Sequence, residues 1–344
     1  MTNNQQELLI PTHLNVNLLR FPYNVDKSPR FSWWDHSNIS NSQQTAYQVV
    51  ISKRLHQLAN QEYIFDTGWV QSSENAGVAI PQIERVLDAG ELYYWQVRIK
   101  DNFNNISDFS QPEKFISTDK PQVEPIHGIW ADRGPKSDNE LPKLGNVVFI
   151  RSPRFDLNLV DVDTAVITAF SRGNEPLFIQ GFDLLVNGTN VGVGSAHRQV
   201  HYQGTDKTGI YYNKYDVTEE LINGENVISV MATAKSNRKA FWCKLEVYLT
   251  DGTKKKIIVT DKNWHVLDGS TAFGDYGVKI RSLYFGMVSE NVDLRYYPQG
   301  WSEVEYNDDN WPAVWVNPQS MVSDEEVFIP YRSENTRRFE THES

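Results

Sequence analysis

Short runs in which apolar and polar residues alternate make up most of the chain. The clearest is YYWQVRIKD at residues 93–101, which is followed by the turn-forming run NFNN at 102–105. Alternation with a period of two predicts a strand, and the polar turn after it predicts a hairpin. Similar runs occupy residues 29–34, 46–52, 65–70 and 107–115, with turn clusters at 38–42 and 72–76. This pattern predicts an immunoglobulin-like sandwich over residues 17–118.

A second β-rich region begins near Ile129 and Trp130, resumes at 147–151 and continues to about 316. Its predicted strands lie at residues 164–170, 183–188, 226–230, 245–249 and 256–259. Asn187-Gly188, Asn223-Gly224 and Asp251-Gly252 are hairpin signals, because Asn or Asp followed by Gly tolerates the positive φ angles of tight reversing turns. The region predicts an antiparallel jelly roll, with no helix longer than a single turn at 216–221.

These patterns divide an all-β chain into segments. Residues 118–125 contain two prolines and several charges, which is typical of a linker. The predicted organisation is an N-terminal arm at 1–16, an immunoglobulin-like sandwich at 17–118, a linker with a lead-in strand at 119–145, a jelly roll at 146–318 and a C-terminal tail at 319–344. The tail is expected to lie outside the second core.

Composition narrows the classes of function. The formal net charge of −11 argues against a nucleic-acid partner, whose phosphates favour a basic surface. A single cysteine, Cys243, excludes an internal disulfide. No apolar run approaches the roughly 18 residues of a membrane-spanning helix, and the first residues do not resemble a signal peptide. We therefore expect no membrane partner and a cytoplasmic location. Among the ten tryptophans, we assign Trp33, Trp69 and Trp95 to the core of the first sandwich.

The order and spacing of these segments resemble the N-terminal part of the bacterial α-L-rhamnosidases of glycoside hydrolase family 78. The first sandwich is similar to their fibronectin-III-like domain. The second is similar to the β-sandwich that follows it, a domain related to carbohydrate-binding module family 67. This second resemblance depends on several motifs taken together, at residues 183–192, 212–218, 221–228, 245–252, 260–264, 282–286, 293–295 and 301–311.

The resemblance implies that this chain is a non-catalytic accessory portion that binds or positions rhamnose-containing glycosides. In the family, a general acid and a general base lie in a helical (α/α) barrel that follows these β-domains, and no stretch here has the required helical periodicity. No catalytic residues are therefore assigned. One alternative is a subunit or fragment of an active α-L-rhamnosidase that works with a separate barrel. Another is a structural interaction module without a ligand.

The candidate sugar-binding residues combine aromatic rings for stacking with amides and a carboxylate for the hydroxyl groups. They are Tyr202, Tyr211, Tyr212, Trp264, Asn174, Gln180, Asp206, Asn213 and Asn263. In related modules an acidic residue and an amide before the Asn-Gly turn commonly hold calcium, but Ile179 and Gln180 occupy those positions here. Calcium thus remains a possible cofactor with altered ligands, which the loop at 173–176 or the pairs Asp161/Asp163 and Asp308/Asp309 would have to supply.

Overall fold

The fold is taken from a computed structural model. It describes residues 9–118, 128–131, 147–172, 180–194, 208–234, 239–273, 292–316 and 326–330, with residues 172, 180, 208–210 and 326–330 described through their backbone. The chain divides into two compact units, here called the first domain (mainly Met1–Gln122) and the second domain (mainly Val123–Leu249 and Lys254–Tyr331).

The first domain is built from two packed sheets. Its strands are β1 (Leu9–Val16), β2 (Arg30–Ser37), β3 (Gln44–Ser52), β4 (Phe65–Asp66), β5 (Val70–Gln71), β6 (Val78–Ala79), β7 (Leu92–Asp101) and β8 (Glu113–Ile116), with a short helix α1 (Leu55–Ala59) and a 3-10 turn at Ile83–Arg85. Sheet A has the order β1-β2-β6. Sheet B has the order β4-β3-β7-β8, with β5 also paired to β3.

The core between sheets A and B contains the aromatic residues that alternation placed inward. Phe31 packs edge-on against Trp95 at 4.8 Å, and the Trp33 indole N–H donates to Gln44 Oε1 at 2.8 Å. The hydroxyl of Tyr93 accepts the backbone N–H of Asp88 at 2.6 Å, and burial raises the pKa of Tyr93 to about 12. The assignment of Trp33 and Trp95 to the core is confirmed. That of Trp69 is wrong, because this residue is 37% exposed on the outer face of sheet B.

Part of the segment assigned to an N-terminal arm is an integral strand. Residues 9–16 form β1, which pairs antiparallel with β2 along its length, and Leu14 and Val16 are buried in the first core. A register shift between Thr12 and Asn15 interrupts the alternation, which is why the sequence pattern did not reveal this strand.

The second domain is also a two-layer β structure. Its strands are β9 (Ile129–Trp130), β10 (Val147–Arg151), β11 (Phe155–Leu157), β12 (Val162–Arg172), β13 (Gln180–Val186), β14 (Thr189–Gly194), β15 (Thr208–Asp216), β16 (Gly224–Asn226), β17 (Ile228–Ala234), β18 (Ala240–Leu249), β19 (Lys254–Val259), β20 (His265–Asp268), β21 (Trp315–Val316) and β22 (Glu326–Pro330), with a short helix α2 (Ser270–Phe273). Sheet C has the order β14-β13-β17-β10-β20. Sheet D has the order β21-β9-β18-β12-β15-β22, with β19 also on β18 and a separate β11–β16 pair outside both sheets.

The second core lies between sheets C and D. Leu184 and Val230 of sheet C pack in one apolar cluster with Ile167 and Leu245 of sheet D. The predicted all-β fold, an immunoglobulin-like sandwich followed by a jelly-roll-type sandwich, is confirmed.

Part of the segment assigned to a C-terminal tail belongs to sheet D. Strand β22, within residues 319–344, pairs in parallel with β15, from Thr208↔Glu326 to Tyr212↔Pro330. The Val-Phe-Ile run in this strand favours a β conformation. Its partner lies more than a hundred residues earlier, however, so local pattern could not show the pairing.

An aromatic segment at residues 297–311, here called the strap, covers the outer face of sheet C. Trp301 and Trp311 of the strap pack with Phe149 of β10. Beside them, Arg151 is completely buried and donates to the strap carbonyls of Trp301, Glu303 (3.0 Å) and Tyr306 (3.4 Å). The Arg151 side chain thus satisfies backbone groups that have no sheet partner and ties the strap to the sandwich.

Candidate functional site

Several strands of the second domain begin or end at the same end of the sandwich. The register pairs Arg172 with Ala240, Gln180 with Ala234, and Phe182 with Gly194. The strand ends that flank residues 173–179, 195–207 and 235–238 therefore lie at one end of the sandwich, here called the loop end. Asn174, Tyr202 and Asp206 belong to these connections in sequence and lie outside the described residues, and Gln180 is described only through its backbone. Gln180 begins β13 at the loop end, and the other three candidates lie, in sequence, between strands that begin or end there.

The inner face of sheet D becomes polar near the loop end. Asn213 pairs with Ala169 of the core, so the two side chains point the same way. Asn213 is 6% exposed, and among the described residues nothing donates a hydrogen bond to its Oδ1. Ser171 and Lys239 are buried at the same end. A buried amide oxygen without a donor is costly, so Asn213 is a group that a ligand hydroxyl would satisfy.

The two adjacent tyrosines of β15 lie on opposite sides of sheet D. Tyr212 is 1% exposed on the outer face, clustered with Phe170 and Trp242, so its ring has no free surface for stacking. Tyr211 is half-buried and, by strand alternation, lies on the side of Asn213. Of the two, Tyr211 is the one that shares the face of Asn213.

Two other candidates are not part of this site. Trp264 is 0% exposed in the second core, and its indole N–H donates to the carbonyl of Val259 at 3.1 Å, so its prediction as a stacking platform is wrong. It is buried because the chain enters β20 in the phase that points Trp264 and Val266 inward. Asn263 is exposed, and its amide Nδ2 donates to Asp261 Oδ2 at 2.9 Å within a local turn.

One carboxylate was not recognised in the sequence. Asp183 lies on β13 between Val193 and Met231, on the outer face of sheet C. Burial raises the pKa of Asp183, and no hydrogen bond or ion pair from the described residues reaches its carboxylate. In sequence, Asp183 looks like an ordinary polar position of an alternating strand. Its desolvation depends on neighbours from other strands.

The acidic pairs considered for calcium have other contacts. Asp308 Oδ2 lies 3.5 Å from Arg151 Nε and 3.0 Å from His265 Nδ1. Asp163 accepts the hydroxyl hydrogen of Thr164 at 2.8 Å. Within the described ranges no group of three or more His, Cys, Asp or Glu side chains is arranged to hold a metal ion. The loop at 173–176 lies outside those ranges, and calcium binding stays a prediction.

Comparison with known proteins bears on both domains. The family model described as "Rha78A-like, N-terminal immunoglobulin domain" matches residues 11–117, and that described as "Alpha-L-rhamnosidase N-terminal domain" matches residues 178–332. Both domains of the chain thus match N-terminal domains of α-L-rhamnosidases. The predicted resemblance to the N-terminal part of these enzymes is confirmed.

Individual relatives agree with this assignment. An α-L-rhamnosidase of Formosa agariphila is 26% identical over 311 residues, which are 85% of this chain and 31% of that protein. One of Streptomyces avermitilis is 24% identical over 325 residues, 89% of this chain and 27% of that protein. The chain thus spans about a third of the length of these curated relatives.

A solved structure shares the fold. The α-L-rhamnosidase from Dictyoglumus thermophilum superposes with a TM-score of 0.63 at 21% identity, covering 93% of this chain and 35% of that one. In the described part of this chain, no helix is long and apolar enough to cross a membrane.

Proposed function

We propose that this chain is an accessory carbohydrate-binding unit that holds rhamnose-containing glycosides at the loop end of the second domain. The observation that supports this most is the buried Asn213, whose Oδ1 has no donor among the described residues, on the same face as the half-buried Tyr211. A polar group that faces a sandwich end and lacks a partner is suited to a sugar hydroxyl.

The chemistry of the site fits a neutral sugar. Tyr211 offers an aromatic ring for the apolar face of a pyranose, and Asn213 offers an acceptor for a hydroxyl. Rhamnose carries no charge, so the net charge of −11 does not oppose its binding. The polar candidates of the loop-end connections, Asn174, Gln180 and Asp206, would complete the hydroxyl contacts, with Tyr202 as a second ring.

Calorimetric titration of L-rhamnose and of a rhamnosyl disaccharide, with and without calcium, tests this proposal. We expect saturable binding by the wild-type chain and at least about tenfold weaker binding by Tyr211→Ala. The matched control is Tyr296→Ala, because Tyr296 is an exposed tyrosine on another segment of the domain. Absence of heat with either sugar at about 10 mM, or equal binding by Tyr211→Ala, would overturn the proposal.

A second proposed role is to support a catalytic domain. The relatives are α-L-rhamnosidases about three times as long as this chain, so in them the matched region is part of a larger polypeptide. We expect the chain alone to hydrolyse a nitrophenyl rhamnoside no faster than a buffer blank does. If this role is correct, the part of such a relative that lies outside the match, added as a separate polypeptide, should form a stable complex with the chain in size-exclusion chromatography. Two independent elution peaks would contradict it.

A further inference from the structure

The outer face of sheet B in the first domain holds an arginine between two aromatic rings. The guanidinium carbon of Arg98 lies 5.0 Å from the ring centroid of Trp69 and 4.8 Å from that of Phe109. The three side chains come from different segments. Arg98 is on β7, Trp69 lies just before β5, and Phe109 follows the turn after β7. Two rings at this distance restrict the plane and position of the guanidinium.

A short hydrogen-bond chain orients Arg98 further. Its Nε–H donates to Gln48 Oε1 at 2.8 Å, and Gln48 Nε2 donates to Asp66 Oδ1 at 2.7 Å. The same Asp66 oxygen accepts the backbone N–H of Gly68 at 2.7 Å. The nearby carboxylate is therefore satisfied by neutral donors and does not neutralise Arg98 through an ion pair.

Most donors of Arg98 have no acceptor among the described residues. A guanidinium carries five N–H groups, and within the described part of the chain one of them, on Nε, is used. No ion pair joins Arg98 to any described carboxylate. The paired terminal nitrogens form the fork that binds a carboxylate through two parallel hydrogen bonds. A charged group held rigidly with unused donors loses little conformational entropy on binding an anion.

The neighbouring Trp69 indicates what else the ligand contains. Its ring is covered on one side by Arg98, yet the residue remains 37% exposed. Exposed indole surface beside a carboxylate-binding fork matches a ligand that has both an apolar ring face and a carboxylate. A sugar acid has both features on adjacent atoms of one residue.

We propose that Arg98 and Trp69 form a binding site for a uronate residue of an acidic polysaccharide, with the carboxylate on Arg98 and the pyranose face on Trp69. This site is in the first domain and does not depend on the loop-end site of the second. Because the whole chain is negatively charged, long-range attraction does not help an anion to approach. We expect millimolar affinity that falls as salt is added, since the carboxylate contact is partly exposed.

The test is calorimetric titration of sodium D-glucuronate, with D-glucose and sodium acetate as separate probes. Glucose keeps the ring without the carboxylate, and acetate keeps the carboxylate without the ring. We expect glucuronate to bind at least about tenfold more tightly than either. No heat with glucuronate at about 50 mM would overturn the site. Acetate binding as tightly as glucuronate would overturn the assignment to a sugar acid.

Variants connect the binding to the named residues. Arg98→Gln and Trp69→Ala should each weaken glucuronate binding at least about tenfold. Arg98→Lys keeps the charge but loses the paired terminal nitrogens, so it should also weaken glucuronate binding. This variant provides a second measurement if Arg98→Gln fails to fold. The control Arg85→Gln removes an exposed charge from the same domain and should bind like wild type. Unchanged binding by both Arg98 variants would contradict the proposal.

Tyr211→Ala should leave glucuronate binding unchanged, which separates this test from that of the loop-end site.

Discussion

Two arginines on the outer faces of sheets, one in each domain, have opposite surroundings. Arg151 is 0% exposed, lies 5.3 Å from the Tyr306 ring centroid, donates to strap carbonyls and pairs with Asp308. Arg98 also lies against aromatic rings, but it is half-buried, and among the described residues Gln48 alone accepts a hydrogen bond from it. The difference indicates that a guanidinium whose N–H groups bond to the protein stabilises the fold. A guanidinium whose N–H groups lack protein acceptors is available to bind a ligand.

Burial makes the first arrangement depend on all of its partners. Desolvation lowers the pKa of Arg151, and the nearby Asp308 carboxylate partly offsets this. A buried cation is tolerated only while its hydrogen bonds and counter-charge are in place. The comparison therefore predicts large effects on stability around Arg151 and large effects on binding around Arg98.

The largest expected effect is that of Arg151→Met. It would remove the hydrogen bonds of Arg151 to the carbonyls of Trp301, Glu303 and Tyr306 and leave Asp308 without its cation. We expect this to release the strap, at a cost of about 3–5 kcal/mol in the free energy of unfolding of the second domain. Urea denaturation followed by tryptophan fluorescence measures this. Arg154→Met is the matched control. Arg154 also donates to strap carbonyls, at 2.9 Å to Val304 and to Tyr306. It is exposed, however, so a loss of about 1 kcal/mol is expected. Equal losses in the free energy of unfolding for the two variants would contradict the proposed role of Arg151 in holding the strap.

A smaller effect is expected for Asp308→Asn. This change keeps the size of the side chain but removes the counter-charge of the buried Arg151 and weakens the contact with His265. We expect a loss of about 2–3 kcal/mol in the same denaturation experiment. Asp309→Asn is the control, because Asp309 is exposed beside it. This control should change the free energy of unfolding by no more than about 0.5 kcal/mol.

In the first domain, the buried carboxylate of Asp101 accepts several hydrogen bonds from the protein. Burial would raise its pKa, but hydrogen bonds from the Asn105 side chain, the backbone N–H groups of Asn105 and Phe103, and Ser42 outweigh this and lower it. A lowered pKa in the folded state means that the carboxylate stabilises the protein above its unfolded pKa of about 3.9, and that this is lost as the pH falls through the folded value. Asp101→Asn should therefore cost about 1–2 kcal/mol at pH 7 and flatten the loss of stability below about pH 4. An unchanged acid profile would show that Asp101 is not the group responsible.

The smallest expected effect on stability is that of Arg98→Gln. The exposed cation–π contacts of Arg98 contribute about 0.5–1 kcal/mol, and the substituted amide can still fill part of the space. Thermal denaturation of this variant should thus resemble that of wild type, while glucuronate binding is weakened. A loss of stability as large as that caused by Arg151→Met would show that Arg98 also stabilises the fold, and would remove the contrast between the two arginines.

The predicted hairpin turns are found where the two strands that they join are adjacent in sequence. Asn187 and Gly188 have φ angles of 49° and 84° and join the paired strands β13 and β14, as expected of an Asn-Gly reversal. Asp251-Gly252 likewise separates the paired strands β18 and β19. Asn223-Gly224 does not close a hairpin, because Gly224 begins β16, which pairs with β11 instead. The dipeptide specifies a tight reversal, but the choice of strand partner depends on distant residues.

The sequence by itself determined the all-β class and the two sandwiches, because alternation and turn residues act over a few positions. The resemblance to rhamnosidase N-terminal domains came from the order of several motifs along the chain. Only the tertiary structure decided which side of each strand is covered. Trp69 was assigned to the core and is exposed beside Arg98, whereas Trp264 was assigned to a binding surface and is buried. A period of two separates the faces of a strand, but burial requires a second layer to pack on one of them. That layer is supplied by residues far away in the sequence.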